Sequence, residues 1–237
     1  MNPTVQVEVS IILPTLNECP CLTHLGPRLE AAVAEYSSSE LIVIDDGSID
    51  GTPEWVESRA TVNPSWRLIR RPRPLGLASA VLTGFQAAKG RTFVVMDADG
   101  SHPPELIRQL VRPVSAGDAE FALASRSRNG VSPRSLSRFR TIISSVASLL
   151  ARPLTSVSDP MSGYFAFDSQ ILKRAVLSPI GFKVGLEIIV CCRPSPIVEV
   201  DYSFESRIAG KSKLGYRQIL EYLRHLSRLY RRELAFE

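Results

Sequence analysis

The chain has little of what redox, zinc-cluster or acid–base chemistry usually needs. Its 237 residues include four cysteines and three histidines. Cys19 and Cys21 form a C-x-C, and Cys191 and Cys192 a C-C. Neither is a paired zinc knuckle or a redox C-x-x-C, so ordinary reduced thiols are expected. No histidines form an obvious catalytic pair. No G-x-G-x-x-G occurs, which removes the usual fingerprint of a nicotinamide dehydrogenase. Long apolar runs are also missing. The longest stretch near the middle free of charge and proline, Thr141 to Ala151, falls well short of the roughly 20 residues that cross a bilayer. Met1 to Ser10 has no basic segment followed by an apolar one, so no signal peptide is expected. Repeats and low-complexity tracts are absent. The net charge of +4 is too slight for a dedicated nucleic-acid binder, and the basic helical faces lack interleaved aromatics.

What remains is a chain that is 44% hydrophobic and 22% charged, enough for one α/β domain with a sizeable core. Val7–Leu13, Leu41–Ile44, Trp66–Arg70, Thr92–Met96 and Phe121–Ala124 read as strands. Helices are expected at about Cys21–Tyr36, interrupted by Pro27, then from Thr52 as N-cap with Pro53 in the first turn, at Leu77–Lys89 ended by Gly90, and at Pro103–Val111. This alternation predicts a mostly parallel sheet covered by helices on both faces.

Two strands end in acidic pairs, Asp45-Asp46 and Asp97-Ala98-Asp99, on what would be one rim of that sheet. Open α/β sheets bind ligands at the carboxyl ends of their strands. If extended geometry persists, Asp97 and Asp99 point the same way. Two hard oxygen ligands suit Mg²⁺ or Mn²⁺ bound to a diphosphate. A polar loop that only caps the next helix would carry the same letters. The second acidic pair and the basic Arg71–Gly76 loop favour a nucleoside diphosphate and its metal.

Later segments are basic and amphipathic. Arg134–Arg152 sets Leu136, Phe139, Ile142, Ile143, Val146, Leu149 and Leu150 against a face of arginines and serines, where Arg140 and Ser144 are four apart. That face either is solvated or grips a phosphate at a bilayer. Glu187 stands in an apolar segment and is either structural or a site acid. The last helix, about Gly215–Leu234, has Ile219, Leu220, Leu223, Leu226, Leu229 and Tyr230 opposite Arg217, Arg224, Arg228, Arg231 and Arg232. It packs on its own domain, on a partner or on an anionic membrane.

Several segments, in this order, resemble the family 2 glycosyltransferases of GT-A fold, and among them the polyprenol (dolichyl) phosphate mannose synthases. They are Ile11–Glu18, Ile44–Ser48, Gly76–Ala80, Met96–Pro104, Ser125-Arg126, Arg140 with Ser144, Asp159–Gly163 and Arg207-x-x-Gly210-x-Ser212-Lys213-Leu214. The resemblance implies a single GT-A (Rossmann-like) catalytic domain over residues 1–213, with the basic helix 214–237 packed on it or extending from it. By the resemblance, Pro14, Thr15, Asn17, Glu18, Asp45, Asp46, Ala98 and Lys213 hold the nucleotide. Asp97, Asp99 and Ser101 hold Mg²⁺ or Mn²⁺. Arg126, Arg140 and Ser144 receive the acceptor phosphate, and Asp97, Asp99, Arg126 and Arg207 serve catalysis. Leu16 stands where the family has an aromatic residue, and Gly100 where it has leucine, a change expected to loosen the turn.

The implied reaction moves mannose from GDP-mannose to a polyprenyl phosphate with inversion. The enzyme would sit peripherally on the cytoplasmic face of a membrane, with or without a small anchoring subunit, and without nucleic acid. UDP-glucose as donor and a non-catalytic nucleotide-sugar-binding subunit remain alternatives.

Overall fold

A computed structural model of the chain describes residues 7–126, 146–202 and 215–234. The first half alternates as the apolar runs predict: β1 (Val9–Thr15), α1 (Cys19–Val33), β2 (Ser39–Asp45), α2 (Thr52–Val62), β3 (Trp66–Arg70), α3 (Leu77–Ala87), β4 (Thr92–Val95) and α4 (Ile107–Ala116). Then come β5 (Phe121–Arg126), β6 (Phe165–Asp168), α5 (Val184–Cys192), β7 (Ile197–Tyr202) and α6 (Tyr216–Leu234). The strands form one seven-stranded sheet in the order β3-β2-β1-β4-β6-β5-β7. All pairings are parallel except those of β6, which runs antiparallel to both β4 and β5. The carboxyl ends of β1 to β5 therefore share a rim with the amino end of β6. Register aligns Thr15, Asp45 and Arg70 along that rim.

All seven residues of β1 are buried, as a strand covered on both faces requires. Its side chains alternate between two cores. Ile11 and Leu13 join Leu22, Leu25, Leu29, Val56 and Leu110 under α1, α2 and α4. Ile12 joins Val81, Phe85, Phe93, Phe167 and Ile188 under α3 and α5. At the opposite edge of the sheet, buried Glu40 accepts from Ser10 Oγ (2.6 Å) and the Lys89 amide (2.6 Å) and pairs with Arg67. That clamp closes the base of the sheet, far from the acidic rim.

Several local expectations are corrected. α1 starts at Cys19 and passes Pro27 unbroken, because Leu22, Leu25 and Leu29 are fully buried against the sheet and outweigh one lost backbone bond. The N-cap of α2 is Gly51, not Thr52. Asp50 accepts from the Thr52 amide (3.1 Å) and hydroxyl (2.6 Å) and serves as the cap acceptor in its place. α3 ends at Ala87, and Gly90 does not terminate it. Gly90 is small because a Cβ there would stand 2.6 Å from Ser10 Oγ and 2.7 Å from Ser10 N.

The last helix packs on its own domain. Tyr222, Leu226 and Leu229 join Ala147, Ala151, Leu186 and Val190 in a third core. The buried stripe is rotated from the expected one: His225 is inside, while Leu220 and Leu223 are exposed. Glu187 explains the rotation and is structural. Its carboxylate accepts from the Ser178 amide (2.6 Å) and from Arg228 Nη2 (2.7 Å). His225 Nε2 lies 2.9 Å from the same carboxylate, off the line of a good hydrogen bond. Burial opposes ionisation of Glu187, but His225, the Ser178 amide and Arg228 outweigh it and hold the carboxyl below its ordinary value.

Glu187→Gln is expected to lower stability by about 3 kcal/mol at pH 7, since it leaves buried donors and a cation without their partner. Because the folded pKa is depressed, this contribution is full above the ordinary value of 4.5 and is lost as pH falls through the folded value. Urea unfolding of both proteins across pH 3–7 checks it: the gap between midpoints should close in acid.

Candidate active site

Three loops meet at the rim on the β1–β2 side. Pro14 and Thr15 are buried at the end of β1, and the Thr15 carbonyl accepts from the Asp46 amide (2.9 Å). Asn17 has a left-handed backbone (φ 59°). Its amide donates to Ser48 Oγ (2.8 Å), and its Oδ1 accepts from the Ile49 amide (2.9 Å), which joins the loop after β1 to the loop after β2. The Glu18 amide donates to Thr52 Oγ1 (3.0 Å). Asp45 is fully buried. Its Oδ2 accepts from the Gly47 and Ser48 amides, while its Oδ1 has no hydrogen-bond partner among the described residues. Asp46 pairs with the Arg71 guanidinium and accepts from the Leu75 and Gly76 amides (2.9 Å each). Arg71 also reaches Ser79 Oγ (2.8 Å) and the Gly76 carbonyl (3.1 Å). The stiff basic loop is thus fastened to the rim through Asp46, a role for Arg71 that no sequence pattern announced.

Asp97, Ala98 and Asp99 follow β4. Asp99 is buried, and its Oδ1 accepts from both the amide (3.0 Å) and the hydroxyl (2.6 Å) of Ser101. Gly100 has φ +85°. Rather than loosening the turn, glycine supplies a left-handed conformation that leucine adopts only under strain.

His102, which sequence reasoning gave no role, holds the turn from beneath. Its Nδ1 accepts from the Asp97 amide (2.9 Å), so the ring is neutral with its proton on Nε2. Burial, partly offset by Asp97 and Asp99, lowers its pKa and agrees with that state. The ring stacks on Tyr164 (centroids 4.9 Å apart) and meets the edge of Tyr202. Tyr164 in turn donates to the Pro103 carbonyl (3.0 Å).

On the other side of β4 the rim is basic. Arg126 ends β5. Its Nε and Nη2 donate to the two oxygens of Asp159 (2.6 Å each), and its amide donates to Oδ2 (3.2 Å). Burial opposes ionisation of Asp159, yet the Arg126 guanidinium outweighs it and keeps the carboxyl below its ordinary value. The Asp159–Gly163 loop leads into β6 and faces the acidic pair: a Cβ on Gly163 would stand 3.9 Å from Asp97 Oδ2. Lys183, immediately before α5, is buried and donates its Nζ to the Met161 carbonyl. Sequence reasoning missed Lys183, since one lysine before an apolar helix carries no signal. Asp159 lies in the Asp159–Gly163 segment, whose letters alone assign it no role.

The fold therefore brings Pro14, Thr15, Asn17, Glu18, Asp45, Asp46, Asp97, Ala98, Asp99, Ser101 and Arg126 to one rim. Arg140, Ser144, Arg207 and Lys213 lie outside the described residues. Among the described residues, no three His, Cys, Asp or Glu side chains converge as a metal-binding group.

A mostly parallel sheet with this acidic rim is the fold of the GT-A glycosyltransferases. Solved structures of glucosyl-3-phosphoglycerate synthase from Mycobacterium tuberculosis share it. One, with phosphoglyceric acid, has a TM-score of 0.68 at 22% identity and covers 93% of this chain and 80% of that one. Another, with Mn²⁺, UDP and glucosyl-3-phosphoglycerate, has a TM-score of 0.67 at 20% identity, covering 94% and 78%. At such identities the likeness is one of fold.

Residues 10–177 match the model of Glycosyl transferase family 2, and the chain belongs to that family. More particularly, it is 38% identical over 231 residues to the dolichol-phosphate mannosyltransferase of Pyrococcus furiosus, covering 96% of this chain but only 65% of that protein. The dolichol-phosphate mannosyltransferase of Saccharomyces cerevisiae is 39% identical over 236 residues, covering 94% and 87%. The undecaprenyl-phosphate mannosyltransferase of Micrococcus luteus is 34% identical over 219 residues, covering 88% of each.

Gly100→Leu, which installs the leucine expected of the family, should destabilise the chain by about 1–3 kcal/mol through backbone strain. Thermal unfolding with and without the substitution measures it, and an unchanged midpoint would show that the turn can relax.

Proposed function

We propose that the protein transfers mannose from GDP-mannose to a polyprenyl phosphate, with inversion, to give polyprenyl-phosphate mannose. The observation that carries this reading is the similarity, along nearly the whole chain, to relatives named dolichol-phosphate or undecaprenyl-phosphate mannosyltransferase. The rim supports it chemically. In this reading the nucleotide lies on the β1–β2 flank, among Pro14, Thr15, Asn17, Glu18, Asp45, Asp46 and Ala98. Asp46 acts there through the Arg71–Gly76 loop that it fastens. Lys213 and Arg207 are assigned to the donor phosphates by sequence alone.

Asp97 and Asp99 would hold Mg²⁺ or Mn²⁺. Two carboxylates at the end of one strand, with the His102 Nδ1 already taken by the Asp97 amide, fit an ion that keeps several positions for diphosphate oxygens and water. Ser101 fixes Asp99 through two hydrogen bonds and is the remaining candidate ligand. When bound, the ion supplies charge neutralisation at the leaving diphosphate.

The chain's own residues provide orientation. Arg126 spends Nε and one Nη2 bond on Asp159, and in this reading its remaining N–H groups meet the acceptor phosphate. A guanidinium held this way aligns that oxyanion for in-line attack. The acceptor is already anionic, so no strong general base is needed, and His102 serves as a support for Asp97. Arg140 and Ser144 would complete the acceptor phosphate site.

Among the described residues no helix is long and apolar enough to cross a membrane. The lipid route proposed here is a surface. Val146, Leu149 and Leu150 are exposed, as are Leu220, Leu223, Arg217 and Arg224 of α6. Tyr222 and Tyr230 tie these two helical stretches together by donating to the Ala147 (2.7 Å) and Leu150 (2.6 Å) carbonyls. An apolar ridge edged with arginines suits the cytoplasmic face of an anionic bilayer, with or without an anchoring subunit. In this reading residues 1–213 form the catalytic domain, and the segment from 214 onward serves as its membrane-facing helix.

The test is transfer of labelled mannose from GDP-mannose into detergent-solubilised polyprenyl phosphate, with and without EDTA. Label that depends on divalent metal is expected in the lipid fraction. Asp97→Asn and Asp99→Asn should each lower kcat at least about 100-fold, whereas Arg140→Ala should chiefly raise the KM for the lipid. Transfer from UDP-glucose instead would change the sugar and keep the chemistry. Metal-dependent nucleotide binding with no transfer from either donor would favour a non-catalytic subunit. Wild-type turnover by Asp97→Asn would contradict the metal assignment.

A further inference from the structure

Among the described residues Lys183 is the one buried lysine, at 8% exposure. Its Nζ donates to the Met161 carbonyl and lies 4.5 Å from the centroid of the Phe182 ring. An ammonium carries three N–H donors, and one carbonyl uses one of them. A burial this complete is costly for a cation unless a counter-charge meets it. Two carboxylates act on it, and one of them, Asp159, has already committed both oxygens to Arg126. The flank therefore gathers two cations, Arg126 and Lys183, beside Asp159, which is already paired, and Asp97. Burial, reinforced by Arg126, drives the ammonium down to about 7, with Asp159 and Asp97 only partly opposing, so the described side chains leave the charge under-compensated.

We infer that Lys183 binds the phosphate monoester of the acceptor together with Arg126, on the β5–β6 flank of the Asp97–Asp99 pair. Topology separates this anion from the donor. The nucleotide loops lie after β1 and β2, on one side of β4, while Arg126 ends β5 and the Asp159–Gly163 loop enters β6 on the other side. Lys183 stands at the amino end of α5, where the helix dipole also favours an anion. The first-turn carboxylate of that helix, Glu187, is turned away toward His225 and Arg228 and does not oppose it. The inference rests on reading the β5 flank as the acceptor side of a polyprenyl-phosphate glycosyltransferase.

A purely structural lysine would serve only to hold the Met161 carbonyl, and two substitutions separate the roles. Lys183→Gln keeps a donor for that carbonyl and removes the charge, while Lys183→Arg keeps a cation. The full chain and both variants are titrated with geranyl monophosphate and, separately, with GDP plus Mg²⁺, using calorimetry. Lys183→Gln should weaken geranyl monophosphate at least about tenfold, as loss of a charge-assisted hydrogen bond to phosphate does, with GDP affinity changed less than about twofold. Lys183→Arg should recover most of the loss.

The inference is overturned if Lys183→Gln binds geranyl monophosphate like the wild type, if it weakens both ligands alike, or if the wild type does not bind geranyl monophosphate at all. The two readings fail separately. Lysine-dependent phosphate binding without sugar transfer would end the mannosyltransferase reading and leave Lys183 in place. Transfer with an unchanged acceptor KM in Lys183→Gln would end the assignment of Lys183 alone.

Discussion

β6 runs antiparallel between β4 and β5, and the rim depends on that reversal. Four parallel strands, β1 to β4, deliver loops to one edge of the sheet in the usual way. The reversed strand adds the start of an element to the same edge. The Asp159–Gly163 loop thereby comes to face the loop after β4, and Arg126 and Lys183 are drawn to the same place. With β6 parallel, that loop would sit at the base of the sheet, near Glu40, and the acidic pair would have no basic flank.

The charged residues of the rim are held before any ligand arrives. Asp46 is fastened by Arg71 and two amides, Asp99 by Ser101, Arg126 by Asp159, and the backbone of Asp97 by His102. In each case a hydrogen bond fixes orientation at low entropic cost to later binding. The aromatic layer of His102, Tyr164 and Tyr202 gives the acidic turn a rigid floor. Farther out, Glu187 locks α6 onto α5, which sets the face that α6 turns outward.

The frame of the sheet was legible because its inner strands β1, β2, β4 and β5 are buried along nearly their whole length and read as unbroken apolar runs, with charged residues ending β2 and following β4 where the chain meets the rim. Asp45-Asp46 and Asp97-x-Asp99 stood out for that reason. Motif order then carried the family. What was not legible depends on partners distant in sequence. His102 pairs with a backbone amide, Lys183 with a carbonyl 22 residues earlier, and Arg71 with a carboxylate 25 residues earlier. No periodicity encodes such contacts. The face of α6 was misjudged for a related reason: hydropathy placed Leu220 and Leu223 inward, whereas a buried carboxylate on another helix pulled His225 in. Gly90 looked like a helix stop and is a point of close approach to β1.

The central claim is that the rim is divided at β4, with nucleotide on the β1–β2 side, the metal at Asp97 and Asp99, and the acceptor phosphate on the β5–β6 side. A crystal structure with Mn²⁺ and GDP tests it most directly. The predicted result is an anomalous manganese peak ligated by Asp97 and Asp99, with the guanosine reaching toward Asn17 and Asp46. A manganese peak away from both aspartates, or guanosine lying against Arg126 and Lys183, would contradict it.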